Sequence, residues 1–258
     1  LALPSPVPHI YGIHPIKITG TEITMFGQMQ DSPLLVSSLI THAERLYPNQ
    51  IIATKTVEGE WHEYTYADAA RQSRKLAQAL LGLGIKEGDI VATLAWNTYR
   101  HYECWYGISG MGAVLHTVNP RLFPEQLEYI INHAEDKYIF LDTTFVPLLE
   151  ALQDKLPTVK GYVIMTDEAN MPNSSLKNLI CYDTLVNAED GNYEWPQLDE
   201  RSATSLCYTS GTTGNPKGVI YSNRSTLLHN WSITGKSAAS MDSETCILPI
   251  VPMFHANA

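Results

Sequence analysis

The sequence predicts an α/β protein with mostly parallel sheets covered by helices. Short runs rich in Val and Ile recur along the chain, helical stretches separate these runs, and 44% of the 258 residues are apolar. Parallel strands are buried on both faces, so they appear as continuous apolar runs, and a helix commonly connects one to the next. The alternation of strand and helix therefore indicates a sheet with helices on its faces.

A helix and a hairpin open this pattern. Asp31-Ser32-Pro33 predicts a capped helix with proline at its first position, followed by apolar residues at helical spacing. Ile51–Lys55 and Trp61–Thr65 predict a hairpin. Thr65 and Asp68 resemble a capping box, with Asp in place of the usual Glu, and predict the start of a helix that a Gly-Leu-Gly segment ends.

The remaining elements follow in order. We expect strands at Ile90–Ala95, Ala113–Thr117, Tyr138–Leu141 and Tyr162–Met165, and helices between them at Tyr99–Ser109, Glu125–Ala134 and Val146–Leu152. The polar segment Thr166–Pro196 predicts an irregular excursion over the surface. We then expect strands at Thr204–Tyr208 and Val219–Tyr221, a helix near Thr226–Thr234 and a strand at Cys246–Pro249.

Charge and composition argue against several classes of protein. The net charge of −10 and the lack of any basic run argue against a nucleic-acid partner. Cysteines are scattered without a C-x-x-C pair, and the apolar surroundings of Cys104, Cys207 and Cys246 predict buried free thiols in a reducing compartment. No apolar run has membrane-spanning length. Residues 1–24 do not resemble a signal peptide, and we treat them as a leader whose native origin stays open.

One loop carries most of the chemical information. Residues 208–218 read Tyr-Thr-Ser-Gly-Thr-Thr-Gly-Asn-Pro-Lys-Gly, between two expected strands. Glycines allow backbone N–H groups to converge on phosphate oxygens, hydroxyls add donors or a ligand for Mg²⁺, and lysine adds a positive charge. The P-loop of kinases and ATPases is excluded because Lys217 stands between Pro216 and Gly218. The ordinary alternative is a solvated Ser/Thr/Gly turn.

This loop resembles the signature loop of the adenylate-forming superfamily, which contains acyl-CoA synthetases, peptide-synthetase adenylation domains and luciferases. The segment Pro249–Ala258 resembles the part of fatty acyl-CoA synthetases that carries a His/aromatic pair, and the stretches Val91–Asn97 and Gly112–Leu122 resemble the same branch. The likeness runs from about Met25 to Ala258. It implies the N-terminal half of the large domain of such an enzyme, so we expect residues 25–258 to be an incomplete AMP-binding domain that lacks its later part and the mobile C-terminal domain.

The resemblance implies an acid–thiol ligase that uses ATP, Mg²⁺ and CoA. A carboxylate would attack ATP to give an acyl-adenylate, and CoA would then take the acyl group. The residues implied in phosphate binding are Thr209, Ser210, Gly211, Thr212, Thr213, Gly214 and Lys217, with Thr209 as the Mg²⁺ ligand and Lys217 as the catalytic charge. Thr209 could instead be a strand-end hydroxyl bonded to the backbone.

His255 is the second catalytic residue implied, and with Ala256 it would bind the substrate carboxylate or gate the acyl pocket. The alternative for His255 is a packed core histidine. We expect His101, His116 and His133 to be structural, because their positions show no metal-ligand spacing.

We expect the parent protein to be a medium- or long-chain fatty acid–CoA ligase. A ligase for a short or sulfur-containing acid, of the methylthio-propionate type, is the alternative, and an inert fragment or binding protein is the alternative of another class. We expect residues 1–258 alone to be inactive. The expected partners are a fatty acid or other small carboxylic acid and CoA. The resemblance also suggests a homodimer and a cytoplasmic location, with peripheral membrane association left open.

Overall fold

The computed structural model describes residues 29–209 and 215–255. Contacts between residues divide the chain into two units, Leu1–Ser32 and Pro33–Ala258, and all elements below belong to the second. The described helices are α1 Ser37–Leu46, α2 Tyr66–Gly82, α3 Tyr99–Gly110, α4 Pro124–Ala134, α5 Val146–Leu152, α6 Tyr182–Asn187 and α7 Asn223–Thr234. The described strands are β1 Ile51–Lys55, β2 Trp61–Thr65, β3 Ile90–Leu94, β4 Val114–Thr117, β5 Tyr138–Leu141, β6 Gly161–Ile164, β7 Leu179–Cys181, β8 Ala203–Thr209 and β9 Lys217–Ser222.

The main sheet has the strand order β7-β6-β5-β3-β4-β8-β9. Its strands are parallel from β7 to β8, and β9 pairs with β8 in the antiparallel direction. Strands β1 and β2 form a separate antiparallel hairpin. The predicted fold, a mainly parallel sheet covered by helices, is therefore confirmed. The parallel direction matters for the site because it brings the carboxyl ends of β3, β4, β5, β6 and β8 to one edge.

Apolar residues cover both faces of the sheet. Neighbouring positions on one strand enter different clusters: Val91 packs in a cluster with Leu76 and Ile108, whereas Ala92 packs with Leu127 and Leu149. Since successive side chains of a strand point to opposite faces, helices α2 and α3 cover one face and α4 and α5 the other.

Local signals for helix α2 are confirmed. The Thr65 hydroxyl accepts a hydrogen bond from Asp68 N at 3.1 Å, and Thr65 N donates to Asp68 Oδ2 at 3.2 Å. After the helix, Gly84 has a φ of +79°, and Ile85 N donates to Leu80 O at 3.0 Å. Glycine adopts this left-handed conformation without steric cost, which explains why the helix ends there.

Four predicted features are wrong. Helix α1 begins at Ser37 without a side-chain cap instead of at Pro33. The segment expected to be irregular contains β7 and α6. Residues 246–249 form no strand, and Cys246 is exposed, whereas Cys104, Cys181 and Cys207 are buried free thiols. Among the described helices, none is long and apolar enough to span a membrane.

Candidate functional site

The two ends of the signature loop meet at the carboxyl edge of the sheet. Thr209, the last residue of β8, pairs with Lys217, the first residue of β9. The Thr209 hydroxyl lies 3.5 Å from the Lys217 carbonyl oxygen, and both residues are exposed. This contact is at the limit of hydrogen-bond length, so the hydroxyl stays accessible to a ligand. The other implied phosphate-binding residues lie outside the described residues: Ser210, Gly211, Thr212, Thr213 and Gly214.

Tyr208 anchors the start of this loop to helix α4. Its hydroxyl is hydrogen-bonded to Nδ1 of His133 at 2.7 Å. Burial raises the pKa of the Tyr208 phenol to about 12, so the phenol keeps its proton at neutral pH. The Tyr208 ring also lies 5.1 Å from the His116 ring, measured between centroids. These contacts fix the end of β8 next to the loop.

The expected structural histidines make contacts that fit that role. His116 Nδ1 lies 2.8 Å from Asp136 Oδ2, and both side chains are fully buried. Burial raises the pKa of Asp136, and the neighbouring His116 opposes that rise. His101 contacts the Thr93 hydroxyl at 3.0 Å through Nε2 and the Trp96 carbonyl at 3.1 Å through Nδ1. Complete burial lowers the pKa of His101 to about 4, so this ring is neutral.

Asn97 holds the segment that contains His255 at the same edge of the sheet. Its Nδ2 donates to the carbonyls of Pro249 at 3.1 Å and Val251 at 2.9 Å. Its Oδ1 accepts from Met253 N at 2.7 Å. The segment after these residues turns, with His255 N donating to Pro252 O at 2.8 Å.

The last residues of this segment have different environments. Phe254 is 4% exposed, whereas His255 is exposed, and Ala256 lies outside the described residues. The alternative of a buried core histidine is therefore wrong for His255. Phe254 anchors the segment, and His255 stays open to a ligand.

The turn that carries Asn97 is fixed from both sides. Trp96 N donates to Asp142 Oδ2 at 2.6 Å, and the Thr98 hydroxyl accepts from His101 N at 3.4 Å. Asp142 follows β5 and is buried, and this burial raises its pKa to about 7. The sequence motifs did not predict Asn97 or Asp142 as site residues. Their positions in the sequence could have identified them, because each follows the end of a buried strand by at most three residues. The two strands, β3 and β5, are parallel neighbours in the sheet.

The described residues near the loop offer few ligands for a metal ion, which suits an ion that is also bound by the phosphates of a nucleotide. Among residues 29–209 and 215–255, no group of three or more His, Cys, Asp or Glu side chains could hold a metal. A single Thr209 hydroxyl fits Mg²⁺ that keeps water and phosphate oxygens as its other ligands, which is the usual arrangement for this ion.

Known proteins resemble this chain over most of its length. The family model described as AMP-binding enzyme matches residues 40–258. The 3-methylmercaptopropionyl-CoA ligase of Ruegeria pomeroyi is 48% identical over 234 residues, which are 91% of this chain and 43% of that protein. The medium-chain-fatty-acid–CoA ligase of Ectopseudomonas oleovorans is 45% identical over the same shares of the two proteins. The chain thus spans less than half the length of these curated relatives.

Solved structures share the fold at lower identity. A putative long-chain-fatty-acid CoA ligase from Rhodopseudomonas palustris superimposes with a TM-score of 0.73 at 20% identity, covering 86% of this chain and 52% of that one. A Brucella canis acyl-CoA synthetase gives 0.72 at 17% identity, over 85% of this chain and 40% of that one. The match of the family model over most of the chain, together with these relatives, shows that the chain belongs to the AMP-binding enzyme family.

Proposed function

We propose that this chain forms part of an ATP-dependent acyl-CoA ligase. The observation that carries the proposal is the position of two segments at the same edge of the sheet. The β8–β9 pairing brings Thr209 and Lys217 together, and Asn97 holds residues 249–255 beside the end of β3. A phosphate-binding loop and an acyl-binding segment are the two parts that a carboxylate-activating enzyme has to bring together.

The proposed roles follow from charge development during adenylation. Attack of a carboxylate on the α-phosphate moves negative charge onto the departing pyrophosphate. Lys217 would neutralise part of this charge, and the residues from Ser210 to Gly214 would donate hydrogen bonds to the β- and γ-phosphates. Thr209 would supply one oxygen ligand to the Mg²⁺ that accompanies ATP. The reaction needs no covalent bond to the protein.

His255 and Ala256 would face the carboxylate substrate. The exposed imidazole of His255 can donate a hydrogen bond to a carboxylate. The buried Phe254 beside it holds this part of the chain in place. We assign His255 to orienting the substrate carboxylate or gating the acyl pocket. CoA is the proposed acceptor of the acyl group in the second half-reaction.

For the acid, we propose a medium- or long-chain fatty acid as first candidate. A short sulfur-containing acid is the second candidate, because the relative at 48% identity is named for 3-methylmercaptopropionate and the relative at 45% for medium-chain fatty acids. Octanoate is longer than 3-(methylthio)propionate by three chain atoms. A pocket that encloses the whole octanoate chain would favour it by about 2.4 kcal/mol, or roughly fiftyfold in kcat/KM.

The test is pyrophosphate release from MgATP by the full-length protein with octanoate, palmitate, 3-(methylthio)propionate or leucine, each with and without CoA. The proposal predicts release with at least one of the first three acids and formation of its CoA thioester. Release with leucine alone would contradict it. A kcat/KM for 3-(methylthio)propionate above that for octanoate would select the second candidate.

A further inference from the structure

Strand β9, helix α7 and residues 247–251 expose many large apolar side chains, and we call these three parts the apolar region. Six of its apolar side chains, all within the described part of the chain, are more than half exposed, namely Ile220, Trp231, Ile247, Leu248, Ile250 and Val251. Single exposed apolar residues are normal on a protein surface, whereas their accumulation marks a site of interaction. The proposed adenylation chemistry gives these six side chains no role.

The apolar region also lacks the charges that a surface facing water carries. Between Val219 and Thr234 the only Lys, Arg, Asp or Glu residue in the sequence is Arg224, and its guanidinium pairs with Glu200. The sequence of residues 246–254 contains no charged residue. Charged residues are depleted at the centre of protein interfaces, because burying them is costly. The composition therefore favours a covered surface over one that faces water.

Helix α7 has little packing of its own. Its start is capped locally, since the Ser222 hydroxyl accepts a hydrogen bond from Ser225 N at 3.1 Å. Of its 12 residues, all of them described, only Asn223 and Leu227 are buried. A helix of this length is marginal in water, and helices in proteins take most of their stability from tertiary packing. The exposed apolar residues of α7 therefore offer a face to a partner.

Strand β9 forms one edge of the main sheet. It pairs with β8 on one side, and its first four residues are exposed. An edge strand leaves backbone N–H and C=O groups unpaired, and proteins normally cover such edges or protect them with charged residues or proline. Lys217, at the start of β9, is the only charged residue in the sequence of this strand. The outer side of β9 is therefore open to a covering segment.

We propose that the apolar region binds the remaining part of the AMP-binding enzyme within the same polypeptide. The chain covers 43% of each of the two ligases compared above, so more than half of either relative lies outside the matched stretch. That unmatched part is large enough to cover all three parts of the apolar region. The proposal rests on family membership and uses no step of the ligase reaction, so it and the proposed function fail independently.

A second copy of this chain fits the apolar region less well. Two separate molecules lose translational and rotational freedom when they associate, whereas two parts of one polypeptide are already held close together. Each copy also has a net charge of −10, so two copies repel each other at low salt. A covering segment of the same polypeptide avoids both costs.

The test measures whether solvent reaches Trp231 in the full-length protein, in buffer without lipid. Trp231 and Trp61 are observed by fluorine NMR after labelling with fluorotryptophan, and the variants Trp231→Phe and Trp61→Phe assign their signals. Trp61 is 70% exposed on the separate hairpin and serves as the control. We expect a water-soluble gadolinium chelate to remove the Trp61 signal by broadening and to leave the Trp231 signal. Loss of both signals at the same chelate concentration would overturn the proposal.

Two variants locate the covered face on α7. Leu228→Glu should speed hydrogen exchange of the α7 amides at least about tenfold, because it places a carboxylate against an apolar partner. Leu81→Glu, on helix α2, is the matched control and should leave these amides unchanged, since Leu81 is 50% exposed against 43% for Leu228. If Leu228→Glu does not fold, the Trp231 measurement on the wild type decides. A folded Leu228→Glu protein that is monomeric by light scattering where the wild type is dimeric would assign the apolar region to a second copy and overturn the proposal.

Discussion

Replacing Asn97 by alanine tests whether this side chain holds the His255 segment in place. The change removes three hydrogen bonds to the backbone of residues 249–253. Each contributes about 1 kcal/mol in the usual case, and partial exposure of the site reduces the total to about 2 kcal/mol. This corresponds to roughly a thirtyfold rise in the equilibrium constant for local opening of the segment. The global free energy of unfolding should change less, because the segment can open without the sheet.

The assay is native-state hydrogen exchange, read at the amide of Met253. In Asn97→Ala this amide should exchange roughly thirtyfold faster than in the wild type, and amides within β3 should not change. Asn97→Asp keeps the acceptor for Met253 N but loses both bonds to carbonyls, so its effect should be intermediate. The control is Asn132→Ala, which removes an exposed bond to the Lys155 carbonyl in another part of the fold. An unchanged Met253 exchange rate in Asn97→Ala would refute the assigned role.

The remaining predictions concern the loop and its supports. For the full-length protein, the proposed roles predict that Lys217→Ala and Thr209→Ala each slow adenylation by roughly a hundredfold. Thioester formation from supplied acyl-adenylate should slow far less, and Lys236→Ala, at an exposed position, is the control. Equal slowing of the two half-reactions would contradict the assignment. The pKa of Asp142 is raised to about 7 from 3.8, so the folded state binds this proton more tightly and the free energy of unfolding should fall as pH rises from about 4 to 7. Asp142→Asn should flatten that fall and gain at most about 4 kcal/mol at pH 8, as measured by urea unfolding at several pH values. Tyr208→Phe should lower the free energy of unfolding by about 1 kcal/mol through loss of the bond to His133, and an unchanged urea midpoint would show that this bond contributes nothing.

The fold was predictable where the signal is local. Thr65 and Asp68 stand three residues apart and cap each other, so the start of α2 follows from a short stretch of sequence. Strand β5 is a continuous apolar run, and β3 is one interrupted only by Thr93, of the kind that a sheet buried on both faces requires. In these cases residue type and spacing contain the physical cause.

Prediction failed where tertiary contacts decide. Strand β7 has only three residues and lies in a polar stretch, and pairing with β6 is what makes it a strand. The run Cys246–Pro249 has the apolar composition of a buried strand, yet Ile247 is 59% and Leu248 81% exposed and no described strand pairs with it. Apolar composition alone therefore cannot distinguish a sheet strand from an exposed apolar segment.

The candidate site shows the same division between local and tertiary signals. Asn97 forms hydrogen bonds with backbone groups up to 156 residues away in the sequence. Since backbone groups are common to nearly all residue types, the identity of the residues bonded to Asn97 does not reveal the contact. Its position was nevertheless predictable. Polar residues stand at the end of β8 or just after β3, β5 and β6, namely Thr209, Asn97, Asp142 and Thr166. In a parallel sheet these ends lie at one edge, so polar residues at the ends of buried strands, or within three positions after them, form a candidate site before any motif is recognised.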